Sequence, residues 1–211
     1  MAETLALIGS ALGLSLSSGL SLYGAAFLVG LAIRLEWVHL APSFQHLAVL
    51  ADPLVLTVAG ILFAIEFLAD KIPWLDSAWD AVHTVIRPVG GALLAVRVFG
   101  ELSPPVEVIA LLLLGSVTLA AHGAKASLRL AVNTSPEPLS NILLSLSENA
   151  LLAGGVWLAL THPFLTLAVG VGVLVLVAWA AAWLAGHALR GLRAFRARAA
   201  ARFPSGRGSL G

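Results

Sequence analysis

Residues 164–184, FLTLAVGVGVLVLVAWAAAWL, form an uninterrupted apolar stretch without a single Asp, Glu, Lys or Arg. A helix needs about 20 apolar residues to cross a hydrocarbon core about 30 Å thick, so this stretch predicts a transmembrane helix. The whole chain shares this character: 59% of its 211 residues are hydrophobic, 11% are charged and the mean hydropathy is +0.97. This composition excludes a large soluble catalytic domain and predicts an all-α, polytopic transmembrane helical bundle in the lipid bilayer.

Five other apolar stretches precede this one, which gives about six spans. The predicted spans are residues 6–33, 53–68 (extended by 48–51), 84–99, 106–130, 139–160 and 164–184. The third span is the weakest, because it contains Arg87, Arg97 and Pro88, so residues 84–99 either cross the bilayer or enter it and turn back. We predict one transmembrane domain over residues 1–188 and a basic tail over residues 189–211.

The distribution of Lys and Arg predicts the orientation, since these residues are retained on the cytoplasmic side. Six spans with both termini inside place ten of the twelve Lys and Arg residues in the cytoplasm and leave Arg34 and Arg97 near the far side. The tail, which carries six arginines between Arg190 and Arg207, is then cytoplasmic. If residues 84–99 turn back, five spans remain and the amino terminus lies outside, but the tail is still cytoplasmic. We expect it to bind anionic lipid headgroups and not nucleic acid.

The two halves of the chain, residues 6–100 and 106–186, resemble each other weakly. Residues 50–60 can be aligned with residues 146–155, which places Asp52 opposite Glu148. Two tandem units of three spans have opposite orientations, so this alignment predicts a 3+3 inverted repeat; chance similarity among Leu, Ala and Gly explains it equally well. In the last span, Gly170 and Gly172 suit close packing either within one chain or between the subunits of a homodimer.

Charged residues within the spans carry the functional signal, because each costs roughly 2.5 kcal/mol or more in hydrocarbon. Glu66 and Asp70 lie four residues apart on one side of a helix, where they can bind a cation or share a proton. For Asp70 the alternative is a helix end that meets water, with Lys71 as its counter-charge. In the fifth span, Asn141, Glu148 and Asn149 cluster. We predict Glu148 as a coupling or ligand carboxylate, or as a neutral, hydrogen-bonded structural residue.

The segment Trp74–Arg87 predicts an amphipathic helix after the second span, with Asp76, Asp80, His83 and Arg87 on one narrow stripe. Asp76, Asp80 and His83 supply two oxygens and an imidazole, which suit a divalent metal ion or a proton relay. The alternative, which the amphipathic pattern favours, is that the stripe is the water-exposed face of a helix at the membrane interface.

A basic stripe marks the fourth span, where His122, Lys125 and Arg129 share one side. Three such groups are not expected to face lipid, so they either pair with the acidic residues or bind an anion. The alternative for Lys125 and Arg129 is that their side chains extend to the interface. In the first span, Ser17, Ser21 and Gly24 allow close helix contact or a locally unwound backbone.

The chain resembles a domain-of-unknown-function family of bacterial and plant polytopic membrane proteins. The resemblance extends to about Leu184 and rests on residues 66–73 (EFLADKIP), Asp76, 79–80 (WD), 83–84 (HT), 86–88 (IRP), 121–125 (AHGAK) and 133–138 (NTSPEP). It implies a protein of the bacterial inner (plasma) membrane and implies no activity. A weaker similarity connects Glu66 and Asp70 with the Glu-x-Gly-Asp motif of the Golgi manganese and calcium exchangers. Here the spacing is one residue longer, Ala69 stands at the glycine position, and the second half has no copy.

These patterns favour a small secondary transporter or channel that moves an ion or small polar solute between two repeats. It needs no bound cofactor beyond coupling to a divalent cation or a proton. The alternatives are a lipid scramblase or flippase, a membrane-embedded metal-dependent enzyme acting on a lipid-linked phosphate, and a structural subunit. An enzyme is the less favoured class, because the sequence shows no nucleophile or phosphatase motif and contains no cysteine.

Overall fold

The structure of the chain, a computed structural model, describes residues 1–38, 42–133 and 138–202. Over these residues the chain forms α-helices, two short 3₁₀ segments (Pro42–Ala51 and Arg97–Phe99) and no strand. The α-helices are α1 (Ala2–Leu20), α2 (Leu22–Arg34), α3 (Pro53–Ala69), α4 (Pro73–Val96), α5 (Pro104–Asn133), α6 (Pro138–Thr161) and α7 (Pro163–Arg202).

The chain divides into two compact units, residues 1–174 and residues 175–211. The first contains α1 to α6 and the start of α7. The second contains the rest of α7, where Trp179 and Trp183 are exposed and Trp183 packs on His187 with 4.0 Å between ring centroids. Indole rings of this kind suit the boundary between lipid tails and headgroups.

Five helices in the described part of the chain are long and apolar enough to cross a membrane. The number rises to six if Phe44–Ala51 and Pro53–Ala69, which meet at 74°, count as one span. Large apolar side chains cover the outside of these helices, as lipid contact requires. The predicted polytopic helical bundle is confirmed, and the chain is an integral membrane protein.

Helices α1 and α2 are separated by a single residue, Ser21, whose backbone is extended (φ −154°, ψ 112°). The Ser21 hydroxyl accepts a hydrogen bond from the backbone N–H of Gly24 at 3.0 Å, so Ser21 caps the amino end of α2. Serine is a preferred residue at this position because its side chain satisfies a free helix N–H. The locally unwound backbone that the sequence predicts in this region is therefore present at Ser21.

The two helices turn back on each other. The first half of α1 lies where α6 ends, since Ser10 donates to the Ala159 carbonyl at 2.6 Å, and α1 also packs against the 3₁₀ segment 97–99. The end of α2 returns to that region: Arg34 donates to the Ala51 carbonyl at 3.1 Å, and the segment 42–51 packs against 97–99. We call this the outer end of the bundle, and α1 and α2 form a hairpin that enters from it.

Ser21 is the tip of this hairpin and lies deep within the bundle. The predicted span over residues 6–33 is therefore not one continuous helix. It is divided at Ser21 into two helices that return to one end, although Ala2–Leu20 is by itself long and apolar enough to cross a membrane. Small residues permit the close fit of the hairpin: a Cβ on Gly19 would lie 2.5 Å from the Cβ of Ala121 on α5. Close helix contact at the small residues of this stretch is thus confirmed.

The interior differs between the two ends of the bundle. The outer half holds the apolar core, which includes Leu14, Val29, Leu47 and Val98. The inner half, where α3 meets α4, α5 ends and α6 begins, holds most of the buried charged residues. The fold thus places the hairpin tip at the boundary between an apolar core and a charged interior.

Two predictions about internal packing have different outcomes. Gly170 on α7 packs within the chain, since a Cβ there would lie 2.6 Å from Leu12 of α1. Asp52 caps α3 at the exposed surface, whereas Glu148 is buried within α6, so the two residues that the duplication aligns occupy different environments. The inverted repeat stays a prediction.

Candidate functional site

The residues predicted from the sequence as a site come together in one buried polar network. Ten of the eleven are only 1–7% exposed, and Asn149 is partly buried. Arg87, which is 0% exposed, lies among them and bonds to three, Glu66, Asp80 and His122. The ten are Glu66, Asp70, Asp76, Asp80, His83, His122, Lys125, Arg129, Asn141 and Glu148.

Arg87 of α4 organises the first part of the network, which we call the Arg87 cluster. Its guanidinium donates to Glu66 at 2.5 Å, to Asp80 at 2.8 Å and to His122 Nδ1 at 2.5 Å. The hydroxyl of Ser21, at the hairpin tip, donates to the second oxygen of Glu66 at 2.6 Å. Charge-assisted bonds of this kind are among the strongest in proteins, so the hairpin tip is tied directly to a buried ion pair.

The hydrogen bonds of His122 fix its tautomer. Its Nδ1 accepts from Arg87, so the proton of the neutral ring lies on Nε2, which donates to the Thr84 hydroxyl at 3.1 Å. Thr84 in turn donates to the Asp80 carbonyl at 2.9 Å. His122 is therefore a neutral link between the arginine and α4.

His83 has the opposite tautomer. Its Nδ1 lies 2.8 Å from the Trp79 carbonyl, which can only accept, so Nδ1 donates and Nε2 accepts from the Tyr23 hydroxyl at 3.2 Å. The ring also stacks on Trp79, with 4.5 Å between centroids. His83 thus fastens α2 to α4 beside the Arg87 cluster.

Arg129 of α5 organises the second part, which we call the Arg129 cluster. It makes three hydrogen bonds of 2.5–3.1 Å to the carboxylate of Glu148. It also donates to the Asn141 side chain at 2.9 Å and to the Asp70 carbonyl at 3.0 Å, and lies 3.8 Å from Asp76. The cluster therefore joins the end of α3 and the starts of α4 and α6 at the inner end.

Lys125 lies between the two clusters. Its ammonium donates to the Leu20 carbonyl, the last of α1, at 3.0 Å. It lies 3.6 Å from Asp70 Oδ2 and 3.7 Å from Glu148 Oε2, beyond ordinary hydrogen-bond distance. Lys125 thus satisfies a carbonyl that the break at Ser21 would otherwise leave free in the membrane.

Lys71 marks the edge of the network, in the turn between α3 and α4. Its ammonium donates to the Ser145 hydroxyl at 2.5 Å and lies 3.6 Å from the ring centre of Phe67. Partial burial lowers the pKa of this amine, and the nearby Asp70 carboxylate opposes that effect. The alternative predicted for Asp70, a helix end that meets water with Lys71 as its counter-charge, is not confirmed, because Asp70 is only 4% exposed.

A small cavity of about 10 Å³ adjoins Lys125. By size it holds one water-sized particle. Its wall includes Ser21, Glu66, Asp70, Lys125, Glu148 and Asn149. The two carboxylates that the sequence singles out on different spans, Glu66 and Glu148, therefore face the same space.

Several buried polar atoms of the network have no hydrogen-bond partner within the described residues. Among these atoms are Asp70 Oδ1, Asp80 Oδ2 and Arg87 Nε. Such atoms are costly in a membrane interior and are normally satisfied by water or by a ligand. Among the residues that the structure describes, five carboxylates also face three buried cations, Arg87, Lys125 and Arg129, with Lys71 at the edge. The network is thus rich in unused oxygen acceptors.

Two sequence-based interpretations are wrong. The polar stripe of Trp74–Arg87 is not a wet interfacial face: it belongs to the continuous helix α4 and faces the protein interior, while Val82 and Val85 on the other side are exposed. Lys125 and Arg129 do not extend to the interface, because both are buried against carboxylates. In each case a polar partner inside the bundle replaces water.

The predicted metal ligands have separate partners. Asp80 pairs with Arg87, Asp76 lies near Arg129, and His83 contacts Trp79 and Tyr23. Across the ranges that the structure describes, no three His, Asp or Glu side chains form a group that could hold a metal ion. The geometry gives the predicted divalent site no support.

Sequence reasoning missed the central roles of three residues. Arg87 is on the predicted stripe but is not among the predicted site residues; Ser21 and Thr84 are small hydroxyl residues like many others in the chain. A basic residue inside an otherwise apolar predicted span was the one available signal, and it pointed to Arg87.

No curated protein and no solved structure matches the chain. The family model described as Domain of unknown function (DUF4126) matches residues 8–183, which include every residue of both clusters. This confirms the family resemblance found in the sequence. The chain belongs to the DUF4126 family.

Proposed function

We propose that the chain is a small secondary transporter that moves an ion or small polar solute across the bacterial inner membrane. One observation carries this proposal: the hairpin tip at Ser21 ends inside a buried network of ion pairs. Broken helices whose exposed backbone groups meet charged residues in mid-membrane are the usual construction of transporter binding sites. Irregular backbone at this depth is tolerated only where protein or a polar cavity satisfies it.

The cost of the network supports a functional role. Replacing a buried ion pair by apolar residues is often neutral or stabilising, so stability alone does not require one. Here Glu66 pairs with Arg87 and Glu148 pairs with Arg129, all at least nine-tenths buried. Ionisable residues within a membrane mark ion and substrate pathways by default. The network is thus best explained by a transported charge.

The two ends of the bundle suggest how access would alternate. The charged interior extends toward the inner end, whereas the apolar core closes the outer end. Transport requires the outer end to open, and the hairpin is the element that enters from there. Its tip is held by two hydrogen bonds, from Ser21 to Glu66 and from Lys125 to Leu20. We propose that these two bonds break when the hairpin moves.

We propose an orientation that is compatible with the same topology. The inner end carries Lys71 and Arg129 and is proposed to be cytoplasmic, in keeping with the retention of basic residues there. Because α1 and α2 return to the outer end, the amino terminus is proposed to lie outside. The chain contains no cysteine, so single cysteines at Glu3 and Ile72 report the two sides without background. An impermeant maleimide added to intact spheroplasts should label Glu3→Cys and not Ile72→Cys; labelling of neither until lysis contradicts this orientation.

The function is tested in proteoliposomes that contain the indicator pyranine, with ²²Na⁺ uptake followed in parallel. Wild-type protein should conduct protons or ²²Na⁺ above the rate of empty vesicles. Glu66→Gln and Glu148→Gln should abolish that flux, because each neutralises a carboxylate at the cavity. The matched control is Glu107→Gln, which changes an exposed carboxylate at the start of α5 and should leave the flux unchanged. Equal flux in folded wild-type, Glu66→Gln and Glu148→Gln proteins would contradict the proposal.

A further inference from the structure

The position of the Lys125 ammonium resembles a cation site. Around Nζ lie a helix-terminal carbonyl, Leu20 at 3.0 Å, and two carboxylates, Asp70 at 3.6 Å and Glu148 at 3.7 Å. These are hard oxygen ligands, which small inorganic cations prefer. Two carboxylates and a carbonyl are arranged around one positive charge that belongs to the protein itself.

A second observation points to a ligand at the same place. The cavity of about 10 Å³ lies beside this ammonium and is lined by Asp70 and Glu148. Asp70 is 4% exposed, yet its Oδ1 atom has no hydrogen-bond partner in the part of the chain that the structure describes. The cavity provides room for one small ion, or for the head of a displaced lysine, next to an unused carboxylate oxygen.

The Lys125 ammonium makes fewer hydrogen bonds than the guanidinium of Arg129. Arg129 makes five hydrogen bonds to Glu148, Asn141 and the Asp70 carbonyl. The only hydrogen bond that Lys125 makes to the described residues is the one to Leu20. Of the two cations, the Lys125 ammonium is therefore the one held by fewer hydrogen bonds.

The charge balance selects the kind of ion. Asp70, Asp76 and Glu148 lie around Arg129 and Lys125, which leaves one negative charge. A bound monovalent ion compensates this charge, whereas a divalent ion would leave an uncompensated positive charge within the membrane. The small cavity excludes an organic solute.

From these observations we infer that Asp70, Glu148 and the Leu20 carbonyl form a binding site for one small monovalent cation, of Na⁺ or Li⁺ size, with which the Lys125 ammonium competes. This inference rests on the proposed transport function and names its substrate class. When the cation takes the site, it replaces the Lys125 ammonium at the Leu20 carbonyl of the hairpin tip. Cation binding is thereby linked to the element that is proposed to move.

Thermal unfolding of the purified full-length protein in detergent tests the inference without transport. NaCl, LiCl, KCl, CaCl₂ and choline chloride are compared at constant ionic strength, because a ligand that binds only the folded state raises the unfolding midpoint. Wild-type protein should be stabilised by NaCl or LiCl relative to choline chloride. Asp70→Asn should lose this effect, and the surface variant Glu107→Gln should retain it.

Substitutions of Lys125 distinguish competition from a structural role by the direction in which the cation affinity changes. Lys125→Met removes the competitor, so the half-saturating Na⁺ or Li⁺ concentration should fall at least tenfold; Lys125→Gln serves if Lys125→Met fails to fold. A merely structural lysine predicts the reverse, a less stable protein with no gain in cation sensitivity. Equal midpoints in NaCl, LiCl and choline chloride for both wild-type and a folded Lys125 variant overturn the inference, as does a larger shift in CaCl₂. Cation binding without flux in proteoliposomes would retain the site and refute transport.

Discussion

Arg87 offers the sharpest test of the network, through the substitution Arg87→Gln. Arg87 is 0% exposed and holds two carboxylates, Glu66 at 2.5 Å and Asp80 at 2.8 Å. Removing one partner of a buried ion pair costs about 3–5 kcal/mol, because the remaining charge is left uncompensated. Since one arginine serves two carboxylates, we expect a loss near the upper end, about 5 kcal/mol. At about 2–4 °C per kcal/mol for a chain of this size, the unfolding midpoint should fall by about 10–20 °C.

The assay is thermal unfolding in detergent, with Arg97→Gln as the matched control. Arg97 is exposed at the outer end and should lower the midpoint by no more than about 2 °C, consistent with a surface change of about 0.5 kcal/mol. The triple variant Arg87→Gln, Glu66→Gln, Asp80→Asn should recover much of the lost stability, because it removes the uncompensated charges together with their partner. If Arg87→Gln unfolds at the same temperature as Arg97→Gln, the ion pairs do not stabilise the fold and the reasoning is refuted.

Two further substitutions test the hairpin. Ser21→Ala removes the cap of α2 and the bond to Glu66, and should lower the free energy of unfolding by about 1–2 kcal/mol. The control, Ser147→Ala, loses only a bond within its own helix on an exposed face and should change the unfolding midpoint little. Equal changes in the two variants would argue against the cap. Gly19→Val should prevent normal folding because its Cβ would meet α5 at 2.5 Å, whereas Gly123→Ala has open space; a normal size-exclusion profile for Gly19→Val would contradict the close contact.

Helical periodicity predicted which residues of each helix share a side, and the structure confirms it. Glu66 and Asp70 lie on one side of α3's end, and Lys125 and Arg129 on one side of α5, because side chains four residues apart project together. Periodicity could not predict which helix each side would meet. The contact between Arg87 and His122, 35 residues apart, depends on how α4 packs against α5.

The stripe on α4 shows why amphipathicity misleads in a membrane. A polar stripe opposite an apolar face indicates two different surroundings, and in a soluble protein the polar side meets water. Here Val82 and Val85 are 61% and 71% exposed, on the side where lipid lies, whereas Asp80 and Arg87 are buried. The pattern is the same for an interfacial helix and for a helix that lines a polar interior. Only the partner charges on α3 and α5 distinguish a helix that lines a polar interior from an interfacial helix.

Composition could not predict the hairpin, because a stretch such as residues 6–33 is apolar both when the chain crosses the membrane and when it turns back. The turn at Ser21 depends on distant residues. Breaking a helix inside a membrane leaves backbone groups without partners, at a cost of several kcal/mol each. Lys125 meets this need at the Leu20 carbonyl, and Glu66 holds the serine that caps the next helix. Lys125 and Glu66 are in turn stable at this depth because each lies beside an opposite charge: Lys125 beside Asp70 and Glu148, and Glu66 beside Arg87. The turn and the charges therefore require each other, so a variant that loses both the Lys125 ammonium and the Glu66 carboxylate should also release the hairpin.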